Sequence, residues 1–134
     1  MKPWLLNILA CPIDKHHPLE GHFFTWETPE EEIKNNAENA GTPSPTHEKN
    51  YKQLAKQLTD GTISPPAIKD ITDSSESRSS KSLLTGALDA IASLEGTKDK
   101  SEKELLDEYP ADIDALNRYL HLLEVDAGLL VCPE

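Results

Sequence analysis

The sequence predicts an α+β protein in which segments from both ends of the chain form one small β lobe around a helical insertion. Strand-forming aromatic residues are concentrated at 22–27. Short apolar runs flank Gly128 within 124–132, a pattern that predicts a hairpin. Between these segments, apolar residues recur at the three- to four-residue spacing of helices. The predicted lobe comprises residues 1–28 and 123–134, and the predicted insertion comprises 29–122.

Helical periodicity begins close to the N-terminus. Residues 2–10 carry an apolar stripe that predicts a short amphipathic helix ending before Pro12. A second helix opens at Thr46 and is stopped by Gly61. A third, short helix is expected to begin at Pro65, because proline is tolerated in the first helical turn. Its buried side is expected to carry Ile68 and Ile71.

The second half of the chain combines a polar stretch with the clearest helical pattern. Residues 72–82 contain no apolar side chain and predict a flexible linker, because burial cannot offset the entropy of ordering them. Residues 83–94 form one apolar helical face. Ser101 and Glu104 have the spacing of a capping box, which predicts a helix start. Helical spacing then continues through 113–123.

Charge and hydropathy exclude several classes of function. The 134 residues include 24 acidic and 13 basic side chains, for a formal net charge of −11. That charge repels the phosphate backbone, so a free-standing nucleic-acid binder is not expected. The longest apolar stretch, residues 4–10, is far shorter than the roughly 20 residues of a membrane-spanning helix. It also lacks the features of a signal peptide, and we expect a cytoplasmic protein.

Two cysteines raise the question of zinc. Cys11 and Cys132 each precede a proline, as in one half of a C-P-x-C knuckle, but Asp14 stands where the first knuckle needs its second cysteine. A four-cysteine site therefore cannot form. An alternative site would combine the two thiolates with Asp14, His16 or His17. We favour the interpretation that the thiols pack as small buried side chains and that the histidines are exposed in a loop.

No catalytic constellation emerges from the sequence. Asp112 and Asp114 have the spacing of paired carboxylates that serve as general acid and base, but carboxylates at a helix start more often interact with the helix dipole. Nucleophile, Walker and dinucleotide-binding motifs are absent from the sequence. We therefore expect no enzyme, and an autonomous hydrolase that uses these carboxylates is the weakest alternative.

Apolar residues at both chain ends offer two interpretations. They either bury one another or leave a docking patch with an open sheet edge exposed on a lobe of this size. The candidate partner-binding residues are Trp4, Leu5, Ile8, Leu129, Leu130 and Val131.

The two termini resemble a known family. MKPWLLNILACPIDKHHPLE at 1–20 and LLEVDAGLLVCPE at 122–134 are similar to the ends of the multifunctional methyltransferase-activator subunit of archaea and eukaryotes. That subunit is small and zinc-ribbon-like. The resemblance covers about a quarter of the chain, in the same order at both ends, and the middle resembles the family only as a helical insertion of variable sequence.

The resemblance implies a non-catalytic activating subunit. Family members form heterodimers with Rossmann-like methyltransferases that modify tRNA, rRNA and the translation release factor. S-adenosylmethionine is then expected on the partner only, and RNA is contacted only through the partner. Of the family's metal-binding cysteines only Cys11 and Cys132 match, so the zinc site is incomplete. The alternative function is a degenerate zinc-ribbon module of the transcription or RNA machinery.

Overall fold

One three-stranded sheet brings the two ends of the chain together. The computed structural model describes residues 2–7, 19–60, 63, 68–95 and 100–131. Its strands are β1 (Glu20–Trp26), β2 (Ile71–Asp73) and β3 (Val125–Val131). The central strand β1 pairs in parallel with β2 and antiparallel with β3. The α+β prediction is confirmed, and β2, which comes from the insertion, is a third strand that the sequence analysis did not predict.

Helices fill the chain between β1 and β3. The described α-helices are α1 (Glu30–Asn39), α2 (Glu48–Asp60), α3 (Arg78–Leu94), α4 (Glu102–Glu108) and α5 (Pro110–Leu120). The short 3-10 helices are Pro3–Asn7 and Pro45–His47. Helix α3 packs against α1 and α5, and α2 packs against α4 and α5. None of the helices within the described residues is long and apolar enough to cross a bilayer.

The core lies between the sheet and the helical layer. Phe23 from β1 and Val125 from β3 belong to the same buried cluster as the apolar faces of the helices. The largest fully buried side chains are Tyr119, Phe23, Ile33, Leu54, Ile68, Leu83, Ile91, Leu105, Ile113, Leu116 and Leu120. Sheet and insertion therefore share one core, and the boundaries between a lobe and an insertion stay a prediction.

The polar segment 72–82 is ordered, and the prediction of a flexible linker is wrong. Its first residues complete β2, and α3 begins at Arg78. Asp73 Oδ1 accepts hydrogen bonds from the backbone N–H and the hydroxyl of Ser75, at 3.0 and 2.6 Å. Ser75 is also bonded to Ser80 through their hydroxyls. Both serines are buried, because side chains that satisfy one another can be buried without apolar surface.

The C-terminal segment is one strand, and the predicted hairpin is wrong. Residues 125–131 run continuously along β1, with register irregularities between Phe23 and Trp26. Gly128 pairs with Phe23 inside the ladder instead of forming a turn. A glycine in a strand often marks a close backbone approach rather than a reversal of the chain.

Other elements begin close to their predicted positions. The N-terminal helix is a 3-10 helix over Pro3–Asn7, and residues 8–10 lie outside the described part. Ile68 is buried as expected, but Ile71 lies in β2 and not in a helix. The hydroxyl oxygen of Ser101 accepts from the N–H of Glu104 at 3.2 Å, which confirms the predicted cap of α4.

Candidate functional site: an exposed edge strand

Strand β3 lies at one edge of the sheet and is apolar where it is exposed. Among the strands that the structure describes, only β1 pairs with it. Leu129, Leu130 and Val131 keep 56%, 42% and 38% of their surface exposed, and Phe24 on β1 keeps 41%. These four are the exposed large apolar side chains of the described residues. An open edge with adjoining apolar surface is a site at which another chain can pair.

The pairing register assigns these side chains to the two faces of the sheet. Leu129 lies opposite His22 and Val131 opposite Glu20, so both share the outer face with Phe24, because strand side chains alternate and directly paired residues project to one side. Leu130 lies opposite Gly21, on the face that carries the core. Strand β3 therefore exposes apolar surface on both of its faces at the end nearest Val131.

The other end of the β1–β3 pair is fastened by polar contacts. The Glu27 N–H donates to the Glu124 carbonyl at 2.9 Å, and the Glu124 N–H donates to Thr28 Oγ1 at 2.7 Å. Thr25 Oγ1 donates to Asp126 Oδ2 at 3.2 Å. A cavity of about 290 Å³ lies beside this pair, between Phe23, Val125 and the first residues of the exposed segment. The first residues of β3 are therefore held by these polar contacts as well as by backbone pairing, and the exposed residues 129–131 continue the same ladder along β1.

Gly128 allows β3 to lie close to β1. A Cβ atom added at this position would stand 2.7 Å from the carbonyl oxygen of His22 and 3.4 Å from the ring of Phe23. The carbonyl belongs to the backbone of the central strand and cannot rotate away. This close approach fixes the position of the exposed apolar segment that follows.

We expect Gly128→Ala to lower the free energy of unfolding by about 1–3 kcal/mol, because the added methyl group overpacks the β1–β3 ladder. Gly86→Ala is the matched control, since a Cβ atom on Gly86 meets no atom within 4 Å. Alanine replaces glycine there inside α3, which is expected to stabilise the fold by about 0.5–1 kcal/mol. Urea denaturation followed by circular dichroism measures both. Equal stability of the two variants would contradict the close approach at Gly128.

Asp112 and Asp114, the two carboxylates considered for catalysis, have different surroundings in the structure. Asp114 is fully buried, and its carboxylate accepts from Arg118 Nε at 2.8 Å, the Tyr51 hydroxyl at 2.6 Å and the Gly41 N–H at 2.9 Å. Asp112 lies in the first turn of α5, where partial burial raises its pKa. Asp114 is therefore held by three structural hydrogen bonds in the interior, out of reach of a substrate.

Arg118 extends this contact to the loop between α1 and α2. Its guanidinium donates to Asn36 Oδ1 at 3.0 Å and to the Thr42 carbonyl at 3.1 Å. Burial and the hydrogen bond to Asp114 raise the pKa of Tyr51, whose hydroxyl also accepts from the Ser44 N–H. These contacts hold the 40–45 loop on α5. One buried ion pair therefore joins α1, α2 and α5.

Trp4 and Leu5, predicted to contact a partner, are half-buried. The Trp4 ring stacks on His121 with a centroid distance of 5.9 Å and an interplanar angle of 20°. Burial, with a smaller contribution from the charge of Lys2, lowers the pKa of His121 to about 4. Trp4 therefore anchors the N-terminal 3-10 helix to the end of α5. The third predicted N-terminal contact, Ile8, lies outside the described residues.

Comparison with protein families shows the family to which this chain belongs. The family model described as Trm112p-like protein matches residues 2–134. The chain belongs to this family. Its members are non-catalytic activator subunits of tRNA, rRNA and release-factor methyltransferases, as the resemblance of the termini implied. Comparisons with curated proteins and with solved structures gave no match.

That Cys11 and Cys132 provide only an incomplete zinc site stays a prediction for this member of the Trm112p-like family. Cys11 and Cys132 both lie outside the residues that the structure describes, as do Asp14, His16 and His17. Within the described ranges, no cluster of three or more histidine, cysteine or acidic side chains is able to hold a metal ion. His22 belongs to the described residues and lies on the outer face of the sheet, where its Nε2 is 3.5 Å from Glu20 Oε2.

Phe24 is the residue of the candidate site that the sequence analysis missed as a partner contact. The sequence predicts a strand over Phe24 but does not show which face of the strand carries this side chain. The alternation in H-F-F-T-W carries the necessary signal, because a core position for Phe23 places Phe24 on the opposite face. Choosing which phenylalanine is buried required the register against β3.

Proposed function

We propose that this chain activates Rossmann-like methyltransferases by docking through β3. The contact surface consists of Phe24, Leu129, Leu130 and Val131. Support comes from one observation above all, which is that the exposed large apolar side chains of the described residues lie together on and beside a sheet edge. Trp4, Leu5 and Ile8 stay proposed partner contacts from the N-terminal segment.

Docking by strand addition suits an activator of several enzymes. The partner's outermost strand would continue the sheet beyond β3 and form backbone hydrogen bonds, which demand little side-chain specificity. Leu129 and Val131 on one face and Leu130 on the other would cover apolar surface on both sides of the new strand pair. One activator is thereby able to serve partners of different sequence.

Activation follows from linkage. A subunit that binds only the folded methyltransferase stabilises that state by RT ln(1 + L/Kd), where L is the concentration of free subunit. The partner carries S-adenosylmethionine and the catalytic residues, and the two chains form a cytoplasmic heterodimer. RNA is contacted through the partner, because the net charge of −11 opposes direct binding to a phosphate backbone.

We expect Leu129→Asp and Leu130→Asp each to weaken binding to the methyltransferase by about 10- to 100-fold, because each places a charge in a dehydrated apolar contact. Gln53→Glu is the control, since it adds one negative charge to an exposed position of α2. The measurement is co-expression of this chain with the Rossmann-like methyltransferases of its organism, followed by co-purification and titration of the purified pairs.

Two results would contradict the proposal. If wild-type chain neither co-purifies with any of these enzymes nor raises their solubility, the chain is not their activator. If a complex forms and both aspartate variants bind as tightly as Gln53→Glu, the interface lies elsewhere on the chain. Circular dichroism of each variant shows that its fold is retained.

A further inference from the structure

A second recess lies at the carboxyl ends of the parallel strands β1 and β2. Its volume is about 510 Å³, within the size range of small-ligand sites. Helix α1 follows β1 and helix α3 follows β2, so the starts of both helices meet the recess. Its walls include Phe24 and Trp26 of β1, Glu30 of α1, and Ser75, Glu76 and Ser77 of the β2–α3 loop.

The wall contributed by the β2–α3 loop is fixed by its own hydrogen bonds. The Ser74 N–H donates to the Phe23 carbonyl at 2.8 Å. Ser75 is held by Asp73, as described above, and Ser77 accepts from the Ser80 N–H at 3.1 Å as the cap of α3. The recess is therefore preformed, and Glu76 is carried on a rigid turn at its rim.

The rim combines carboxylates with an aromatic face. Glu30 and Glu76 are both exposed, and neither forms an ion pair with any residue in the described part of the chain. Phe24 leaves 41% of its surface open beside them. An exposed aromatic ring with adjacent carboxylates attracts a cation, through the ring quadrupole and through direct charge pairing.

The positive ends of the two helix dipoles do not reverse the preference of the recess for a cation. Each contributes roughly half a positive charge, but the first turn of α1 alone carries Glu30, Glu31 and Glu32. The first turn of α3 adds the positive charge of Arg78, which is not part of the recess wall. Glu76, which is in the wall, precedes the Ser77 cap of α3, so four carboxylates stand against one arginine and two helix dipoles. Anions are therefore disfavoured in the recess despite the two helix dipoles.

We propose that this recess binds the guanidinium group of an arginine side chain from the docked partner. A planar guanidinium stacks on an aromatic face and offers five donors, which suits Phe24 and the two carboxylates. We assign the arginine to the docked partner because Phe24 belongs to both the recess and the docking surface. That assignment rests on the proposed function, whereas the binding chemistry does not.

The chemistry is tested on the isolated chain with N-acetyl-arginine amide as the probe, followed by the amide signals of ¹⁵N-labelled protein. We expect saturable shifts, on the order of millimolar affinity, at the Trp26 indole and at residues 74–77. The Trp4 indole, stacked on His121, is the internal reference and is expected not to shift. The neutral citrulline analogue is expected not to bind.

Substitution identifies the groups responsible. Glu30→Gln with Glu76→Gln is expected to weaken probe binding by about five- to tenfold, as two exposed charge pairs would. Glu102→Gln with Asp107→Asn is the control, because it removes the same charge from exposed positions of α4. Equal weakening in both double variants, or equal binding of the citrulline analogue, would overturn the site.

The source of the arginine is tested with the purified methyltransferase complex. Weaker partner binding by the Glu30/Glu76 variant than by the control supports a partner side chain. Unchanged partner binding, with probe binding lost, would overturn the partner as the source. If no methyltransferase binds the chain but the probe still binds, the docking proposal fails and the guanidinium site stands, so the two failures are distinguishable.

Discussion

Replacing Asp114 with alanine is expected to lower the free energy of unfolding by about 3–5 kcal/mol, because it leaves a buried guanidinium without its counter-charge. Asp114 is 0% exposed and Arg118 is 5% exposed, and the two are joined at 2.8 Å. The same substitution removes acceptors from the Tyr51 hydroxyl and the Gly41 N–H. Urea denaturation measures the loss.

Asp89→Asn provides the control for this prediction, since Asp89 lies on the exposed side of α3. It is expected to change stability by less than about 0.5 kcal/mol, as surface substitutions usually do. A loss for Asp114→Ala that is no larger than this would show that Arg118 is not held by the buried carboxylate. Because the contact lies away from β3, methyltransferase binding by the folded fraction is expected to be retained.

Acidification from pH 7 to pH 4 is expected to remove about 3 kcal/mol of stability through His121 alone. Its pKa is lowered from 6.5 to about 4, first by burial and then by the charge of Lys2. Between these two values the unfolded chain binds a proton that the folded chain does not. Stability therefore rises with pH across this window, is complete above about pH 6.5, and is progressively lost below it.

His121→Phe isolates this contribution, because phenylalanine retains a ring for stacking on Trp4 and does not titrate. The difference in unfolding free energy between wild type and variant is expected to change by about 3 kcal/mol between pH 7 and pH 4. Trp4→Ala is expected to reduce the dependence by exposing the imidazole. Parallel stability–pH curves for wild type and His121→Phe would show that His121 does not titrate in this window.

The sequence predicts a helix correctly where a local pattern of side chains determines it. The apolar face of 83–94 and the cap at Ser101 each depend on side chains within a few positions of one another. Strand β2 was missed because its three residues pair with β1 through a register that no local pattern contains. The polar loop that follows was misassigned because Ser75 and Ser80 are buried by hydrogen bonding and not by apolarity.

The candidate site was predictable only in part for the same reason. The apolar run 129–131 is visible in the sequence, but its exposure depends on the absence of a further strand beside β3 among the described residues. The sequence predicts that Trp4 contacts a partner, because its stacking partner His121 is distant in sequence. Likewise, Asp114 appears as one of two equivalent carboxylates until Tyr51 and Arg118 are placed around it.

The order of strands in the sheet also bears on how the chain folds. The central strand β1 is an early element of the chain, yet its pairing partners are the distant Ile71–Asp73 and the still more distant Val125–Val131. Sheets with such non-local pairing form slowly, since loop closure precedes any gain from contact. During synthesis, β1 therefore keeps an unpaired edge until residues 125–131 have emerged from the ribosome, and the helices between them are able to form first.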